Sequence, residues 1–171
     1  MYVNISDDRF DLFKTKLKNK VEFETGAEIS INENVKTVNI NHSNSVKEMD
    51  TKRVIKAINL GFNLRESLKL YRETPSRFEN INIRDHTRNN KEFHRQKGRI
   101  IGKDGRTKEL ISEYTDTDIV ISGDSIGVIG YTQDVIQARQ AILKLITGTP
   151  HSRVYHELEQ YHSNKAPSQM V

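Results

Sequence analysis

Residues 98–105 of this 171-residue chain read Gly-Arg-Ile-Ile-Gly-Lys-Asp-Gly, and this stretch decides the fold. The apolar pair Ile100-Ile101 precedes a turn in which Gly102 and Gly105 flank two polar residues, and helical spacing follows. Because glycine has no Cβ atom, such a turn can bring backbone N–H groups close to a sugar-phosphate backbone. The stretch therefore predicts a glycine turn beside a helix, suited to contact with a nucleic acid.

The positive charge of the chain is concentrated around this turn. Residues 84–108 hold nine lysines and arginines against three acidic residues, a net charge of +6, whereas the whole chain has +4 and the remainder therefore carries −2. A basic segment alone is usually a solvated loop. Its coincidence with the glycine turn favours a polyanion-binding surface over that alternative.

Composition excludes several other classes of protein. The chain has no cysteine, which rules out disulfides and thiolate metal sites and favours an intracellular protein. Residues 2–8 lack the pattern of a signal peptide, and no apolar run approaches membrane-spanning length. We therefore expect a cytoplasmic monomer without membrane contact.

The chain matches itself at a shift of 90 residues. Glu28–Ile31 aligns with Asp118–Ile121, and in both segments an acidic residue is followed by alternating isoleucines. One repeat of this length predicts two related domains rather than a solenoid of shorter units. The expected divisions are a first domain over 1–74, a second domain over 75–162 and a polar, disordered tail over 163–171.

Both copies predict the same order of elements. After the turn, the second copy reads as a helix, a strand, a tight turn, a returning strand and a helix opened by Thr132 and closed at Gly148. Its first strand is expected around Ile81 and Ile83. The fold class is therefore α+β, with the order β-α-α-β-β-α in each copy and three-stranded antiparallel sheets covered by helices. In the first copy the strands are expected at 2–5, 27–31 and 36–40, and the later helices at 50–60 and 64–71.

The repeat fails at the glycine turn itself. In the first copy its place is taken by Leu12-Phe13-Lys14-Thr15, which has no glycine and favours a continuous helix. The first domain is therefore not expected to hold a nucleic-acid backbone. A docking face, for the second copy or for a protein partner, and a structural brace are both open alternatives.

Individual residues of the turn suggest individual contacts. Lys103 is expected to pair with a phosphate as a point charge. The alternative is an exposed lysine that makes no functional contact. Asp104 is expected to stabilise the turn or the following helix, and the free N–H groups from Arg106 onward suit a phosphate. Ile101 and Val120 are expected to form apolar walls for bases, whereas the alternation of the strand makes Ile121 core.

Catalytic and metal-dependent functions find little support. No pair of the six histidines has the spacing of a zinc-hydrolase helix, and the serines lack the surroundings of a nucleophile. His94, in the basic loop beside Phe93, can stack on a base, although a solvated side chain is the simpler interpretation. Asp116, Asp118 and Asp124 are spread over a strand face and a turn. We predict no enzyme activity, no metal and no cofactor.

Three segments carry a resemblance to a known family. They are residues 97–105, residues 54–62 and the continuation Gly-Thr-Pro-His-Ser-Arg-Val-Tyr at 148–155. The chain resembles the archaeal, tandem-KH members of the partner-of-Nob family, which are assembly factors of the small ribosomal subunit. The resemblance covers roughly residues 2–160 and implies two tandem type I KH domains.

The resemblance also implies partners and a site. It implies binding of single-stranded RNA in the 3′ region of small-subunit rRNA, alongside the endonuclease that matures this end and other assembly factors. It departs in the first domain, where archaeal relatives often keep a glycine turn. By position the RNA contacts would be Gly102, Lys103, Asp104 and Gly105, with Arg99, Ile101, Arg106 and Lys108 around them.

Two other functions fit part of the pattern. One is a KH adaptor of the exosome or of translation, although such an adaptor usually carries an additional RNA-binding barrel, for which 171 residues leave no room. The other is a chiefly structural protein that docks to a partner and contacts RNA only incidentally. Acidic replacements at Lys103 and Asp104 separate these readings, since docking should survive them and RNA binding should not.

Overall fold

The computed structural model describes residues 1–73 and 75–165. The chain divides into two compact units, residues 1–74 and residues 75–171. Each unit contains one three-stranded antiparallel sheet and several helices, which confirms the predicted fold class. The two units are described in turn.

The first unit contains one sheet and four α-helices. The elements are β1 (Tyr2–Asn4), α1 (Asp7–Leu12), a π-helical segment (Phe13–Leu17), α2 (Lys18–Thr25), β2 (Glu28–Asn32), β3 (Thr37–Asn41), α3 (Ser45–Leu60) and α4 (Leu64–Arg72). The sheet has the order β1-β3-β2, and both neighbouring pairs are antiparallel. Asn44 caps α3 with its side chain, and Asn63 forms a reciprocal capping box with Glu66 at the start of α4.

The second unit repeats this order, including a further helix at its end. The elements are β4 (Ser76–Asn82), a 3-10 turn (Ile83–His86), α5 (Asn90–Ile101), a second 3-10 turn (Lys103–Gly105), α6 (Arg106–Thr115), β5 (Asp118–Ser122), β6 (Ser125–Tyr131), α7 (Thr132–Ile146) and α8 (His151–Lys165). The sheet has the order β4-β6-β5, again antiparallel throughout.

The core of the second unit lies between one face of its sheet and the helices. Ile119 of β5 is buried whereas Val120 is only half-buried, which is the alternation expected of a strand with one covered face. Helices α5 and α6 each contribute buried side chains on one side only, so their opposite sides remain exposed. The core is formed mainly by Ile81, Ile83, Phe93, Ile100, Ile111, Ile119, Ile126, Val128, Val135, Ala138, Ile142, Leu145, Val154 and Leu158.

Three expectations about boundaries were wrong. Ile83 lies in a 3-10 turn rather than in the strand, because the Asn82 side chain accepts the Arg84 N–H at 2.9 Å and so starts a turn there. Helix α3 begins at Ser45, about one turn before the expected Asp50, because Asn44 caps it. Helix α7 is preceded by Tyr131, and Thr132 is its first residue rather than its cap.

The predicted tail was also wrong in part. Residues 163–165 belong to α8, and residues 166–171 lie outside the described part of the chain. The helix extends this far because Lys165 Nζ binds Asp134 Oδ2 at 2.6 Å, while the Tyr161 hydroxyl donates to Asp134 Oδ1 at 2.6 Å. Asp134 is only 1% exposed, so its charge needs both partners. Burial, and then the hydrogen-bonded Asp134 carboxylate, raise the pKa of Tyr161 well above its usual range.

Replacement of Lys165 by alanine is expected to destabilise the protein by about 2 kcal/mol, because the buried Asp134 carboxylate loses its cationic partner. Lys144→Ala is the matched control, since Lys144 also joins α7 to α8 through Glu157 but both side chains are partly exposed. The control should cost less than about 1 kcal/mol. Urea unfolding measures both values, and equal losses would contradict the role assigned to Asp134.

Candidate nucleic-acid interface

The glycine turn joins the end of α5 to the start of α6. The Gly102 N–H closes α5 by donating to the Gly98 carbonyl at 2.9 Å. Gly102 then has φ 76° and ψ 177°, Asp104 has φ 53° and ψ 29°, and Gly105 has φ 76° and ψ 9°. Three residues with positive φ within four positions give a tight connection that ordinary side chains rarely permit.

The two glycines are required for different reasons. A Cβ atom on Gly102 would lie 2.2 Å from Thr107 Oγ1 and 2.7 Å from the Thr107 backbone nitrogen, so no side chain fits there. A Cβ atom on Gly105 would meet no atom within 4 Å, so this position needs glycine only for its left-handed backbone. The surface at Gly105 is therefore bare and open to a close approach by a ligand.

The polar side chains of the turn and the start of α6 face outward. Lys103 and Asp104 are both exposed, and Lys103 forms no salt bridge with any residue in the described ranges. No side chain caps the N-terminus of α6, where Gly105 occupies the cap position. Arg106 is exposed and lies 3.5 Å from Glu109, a distance that leaves its charge well solvated. The start of α6 is thus an open, electropositive helix end.

Two apolar residues of the predicted site are partly accessible. Ile101, the last residue of α5, is half-buried, and so is Val120 on β5. The neighbouring Ile121 packs against the core cluster, in agreement with the alternation expected from the sequence. The structure thus leaves Ile101 and Val120 partly accessible, as contact with a base requires.

Arg99 makes contacts within the second unit that the sequence did not predict. Its guanidinium donates to the Thr149 carbonyl, and its backbone carbonyl is bonded to His151 Nε2 at 2.9 Å. The side chain is half-buried, and its Nε is a buried donor without a partner in the described residues. Arg99 therefore braces the segment that follows α7, because its position on α5 directs it toward that segment.

Three other cations lie on α5 or just before its start and are free to attract an anion. Arg88, Lys91 and Arg95 are exposed, and none has a salt-bridge partner among residues 1–73 and 75–165. Arg84, by contrast, binds Asp124 at 2.9 Å, and Lys97 donates to the Gly123 carbonyl at 2.7 Å. Lys108, on α6, is half-buried. The unpaired positive charge of the region therefore lies mainly on α5, the residues just before it and the turn.

The segment around His94 is helical rather than a loop. His94 lies on α5 because the whole segment Asn90–Ile101 is helical, capped by the Asn89 side chain. Its ring is exposed and meets the Phe93 ring edge-on, with the centroids 5.1 Å apart.

Among the described residues no group of three histidine, aspartate or glutamate side chains is placed to hold a metal ion. None of the described helices is long and apolar enough to cross a membrane.

The first unit has a helix where the second has its turn. Residues 7–25 are helical throughout, and Leu12 and Phe13 have right-handed backbone angles. Phe13 is 1% exposed and belongs to the core, while the Thr15 hydroxyl donates to the Asp11 carbonyl at 2.6 Å. This segment therefore offers neither a free backbone nor an open helix N-terminus at Leu12–Thr15.

Sequence reasoning missed Thr107, which touches the turn, and Tyr155, which is bonded to Thr107. Thr107 packs on Gly102 and is 3% exposed, and its Oγ1 is bonded to the Tyr155 hydroxyl at 2.7 Å. The sequence did hold a signal for the second residue, since the segment 148–155 that carries the family resemblance includes Tyr155, but no partner was predicted for it.

A family model matches the second unit. Residues 77–163 fit the model for the second KH domain of PNO1 proteins, which is described as a eukaryotic-type, type I KH domain. A KH domain-containing protein of Methanocaldococcus jannaschii is 28% identical over 86% of this chain and 66% of its own length. The pre-rRNA-processing protein PNO1 of Saccharomyces cerevisiae is 37% identical over 61% of this chain. The chain thus spans 66% of the first of these relatives and 38% of the second.

Solved structures resemble the whole chain. A protein of unknown function from Aeropyrum pernix superimposes with a TM-score of 0.90 at 27% identity, covering 99% of this chain and 94% of its own. A chain from a complex of a/eIF2alpha, aDim2p and rRNA from Pyrococcus horikoshii gives a TM-score of 0.86 at 28% identity, covering 96% and 94%. The fold of these archaeal proteins and of this chain is shared over nearly the full length of each.

Proposed function

The chain belongs to the PNO1 family of KH-domain proteins. We propose that it is an RNA-binding assembly factor of the small ribosomal subunit. It holds the 3′ region of the small-subunit rRNA through the turn at 102–105 and positions this RNA for a maturation endonuclease. Membership of an RNA-binding domain family agrees with the prediction that the chain is not an enzyme. The proposed site of action is the cytoplasm.

The observation that carries this proposal is the bare turn at the start of α6. An RNA backbone can approach Gly105 closely, since no side chain other than those of its two chain neighbours lies within 4 Å of its missing Cβ. The uncapped N–H groups of α6 and the exposed Lys103 then face the phosphates. Ile101, directly before the turn, and Val120 on β5 are both partly accessible and are expected to contact the bases.

The comparisons support the choice of RNA. The yeast relative is a pre-rRNA-processing protein, and one structural neighbour comes from a complex that contains rRNA. The protein partners, by contrast, rest on the family resemblance. They are a maturation endonuclease and other assembly factors of the small subunit, for which the first unit is the proposed docking domain.

Binding to a labelled oligonucleotide of the small-subunit rRNA 3′ end, measured by fluorescence anisotropy, tests the proposal. We expect tight binding to this oligonucleotide and weaker binding to a scrambled oligonucleotide of equal length and composition. Equal binding to the two would favour a general RNA adaptor, and absence of binding to both would favour a protein scaffold.

The affinity for RNA is expected to fall as the salt concentration rises, because a small number of phosphate contacts hold the RNA. If the turn and nearby cations contact about four phosphates, a plot of log K against log salt concentration should have a slope near −3 for single-stranded RNA. Titrations between low and moderate potassium chloride measure this slope. A slope near zero would contradict an electrostatic grip on the RNA backbone.

A further inference from the structure

Helix α8 is an addition to the β-α-α-β-β-α order of the second unit. Val154 and Leu158 anchor it in the core at 1% and 3% exposure, so its position relative to α6 and α7 is fixed by packing. Its polar side chains then reach the two helix ends that flank the glycine turn. The α8 residues that make these contacts are Tyr155 and His151, and RNA binding by the turn does not by itself explain why they are there.

The first contact lies at the start of α6. Thr107, in the first turn of α6, is bonded through Oγ1 to the Tyr155 hydroxyl at 2.7 Å. The same Oγ1 lies 2.2 Å from the place where a Cβ atom of Gly102 would be. Tyr155 therefore holds the Thr107 side chain in the one orientation that packs directly on the Gly102 backbone. Because Thr107 is 3% exposed, no solvent molecule can easily replace this partner.

The second contact lies at the end of α5. Arg99 is in the last turn of α5, where carbonyl groups have no partner within the helix. His151 Nε2 lies 2.9 Å from this carbonyl, and because a carbonyl can only accept, the ring nitrogen must donate. The Arg99 guanidinium returns a bond to the Thr149 carbonyl just before α8. Arg99, at the end of α5, thus accepts one hydrogen bond from His151 of α8 and donates another to the segment just before α8.

We propose that helix α8 holds the glycine turn in its RNA-binding geometry, with Tyr155 and His151 as positioning residues. This inference rests on the proposed function, since it assigns the two residues to the same RNA site. Neither residue needs to touch the RNA. Tyr155 acts through Thr107 on Gly102, and His151 acts through the carbonyl of Arg99 on the last turn of α5.

The variant Tyr155→Phe tests the first contact, because it removes one hydroxyl and keeps the ring. Tyr114→Phe is the matched control, since the Tyr114 hydroxyl also joins α6 to α8, through Glu159 at 3.2 Å, but touches no turn residue. Loss of a bond of this kind should weaken binding of a single-stranded RNA oligonucleotide about three- to tenfold in Tyr155→Phe. Tyr114→Phe should bind as the wild type does, with a similar melting temperature.

The second contact is tested by rescue. His151→Ala removes the donor to Arg99, whereas His151→Gln offers an amide N–H to the same carbonyl. RNA affinity should fall in the alanine variant and recover in the glutamine variant. Equal affinity of both variants and the wild type would overturn the role of His151.

The backbone amide NMR signals of Gly102 and Gly105 test the positioning role in the absence of RNA, and therefore independently of the proposed function. In RNA-free protein, Tyr155→Phe should shift both signals and Tyr114→Phe neither. Unmoved signals, or equal loss of RNA affinity in both variants, would overturn the positioning role. If the wild type binds no RNA at all, the proposed function fails, and these amide signals still decide whether α8 sets the geometry of the turn.

Discussion

Replacement of Gly102 by alanine is expected to destabilise the second unit by about 3 kcal/mol and to abolish RNA binding. Its backbone, at φ 76° and ψ 177°, lies in a region that is essentially restricted to glycine. The new methyl group would also meet the backbone nitrogen of Thr107, which cannot move without displacing the first turn of α6. Strain and overpacking therefore act together at this position.

Gly105→Ala is the control for this prediction. Its backbone is also left-handed, at φ 76° and ψ 9°, but the space for a methyl group is open. Backbone strain alone should cost about 1–2 kcal/mol. Denaturant unfolding followed by circular dichroism compares the two variants. If they lose the same stability, the contact between Gly102 and Thr107 does not have the importance assigned to it.

Lys103→Asp is expected to lower the affinity for single-stranded RNA by about tenfold or more. The change removes a cation that has no salt-bridge partner in the described residues and places an anion where the phosphates are expected. The slope of log K against log salt should become shallower by about one unit. Stability should change little, because the side chain is exposed.

Lys16→Asp gives the same change of charge in the first unit. Lys16 is exposed and lies in the π-helical segment that takes the place of the turn. If the second unit alone holds the RNA, this variant should bind nearly as the wild type does. Comparable losses in both variants would mean that RNA binding follows net charge rather than the glycine turn.

The parts of the fold that depend on local sequence were predictable. Two glycines around polar residues determined the turn at 102–105, and the spacing of isoleucines determined the face of β5 that is buried. The absence of glycine at Leu12–Thr15 likewise corresponds to a helix in the structure. In each case the deciding interaction lies within a few residues, where propensity and periodicity are informative.

The parts that depend on contacts between distant residues were not predictable. The bond from Arg99 to Thr149, 50 residues away, was not predicted, and the helical residues 163–165 depend on Asp134. The bond between Thr107 and Tyr155 spans 48 residues. Such contacts follow from tertiary packing, which composition and spacing do not encode.

The most direct test of RNA binding by the glycine turn is a titration of isotope-labelled full chain with single-stranded RNA from the small-subunit rRNA 3′ end, followed by amide NMR signals. We expect the largest changes at residues 102–108 and at Val120, and little change at Leu12–Thr15. Changes confined to the first unit, or an unchanged turn under saturating RNA, would contradict an RNA site at this turn.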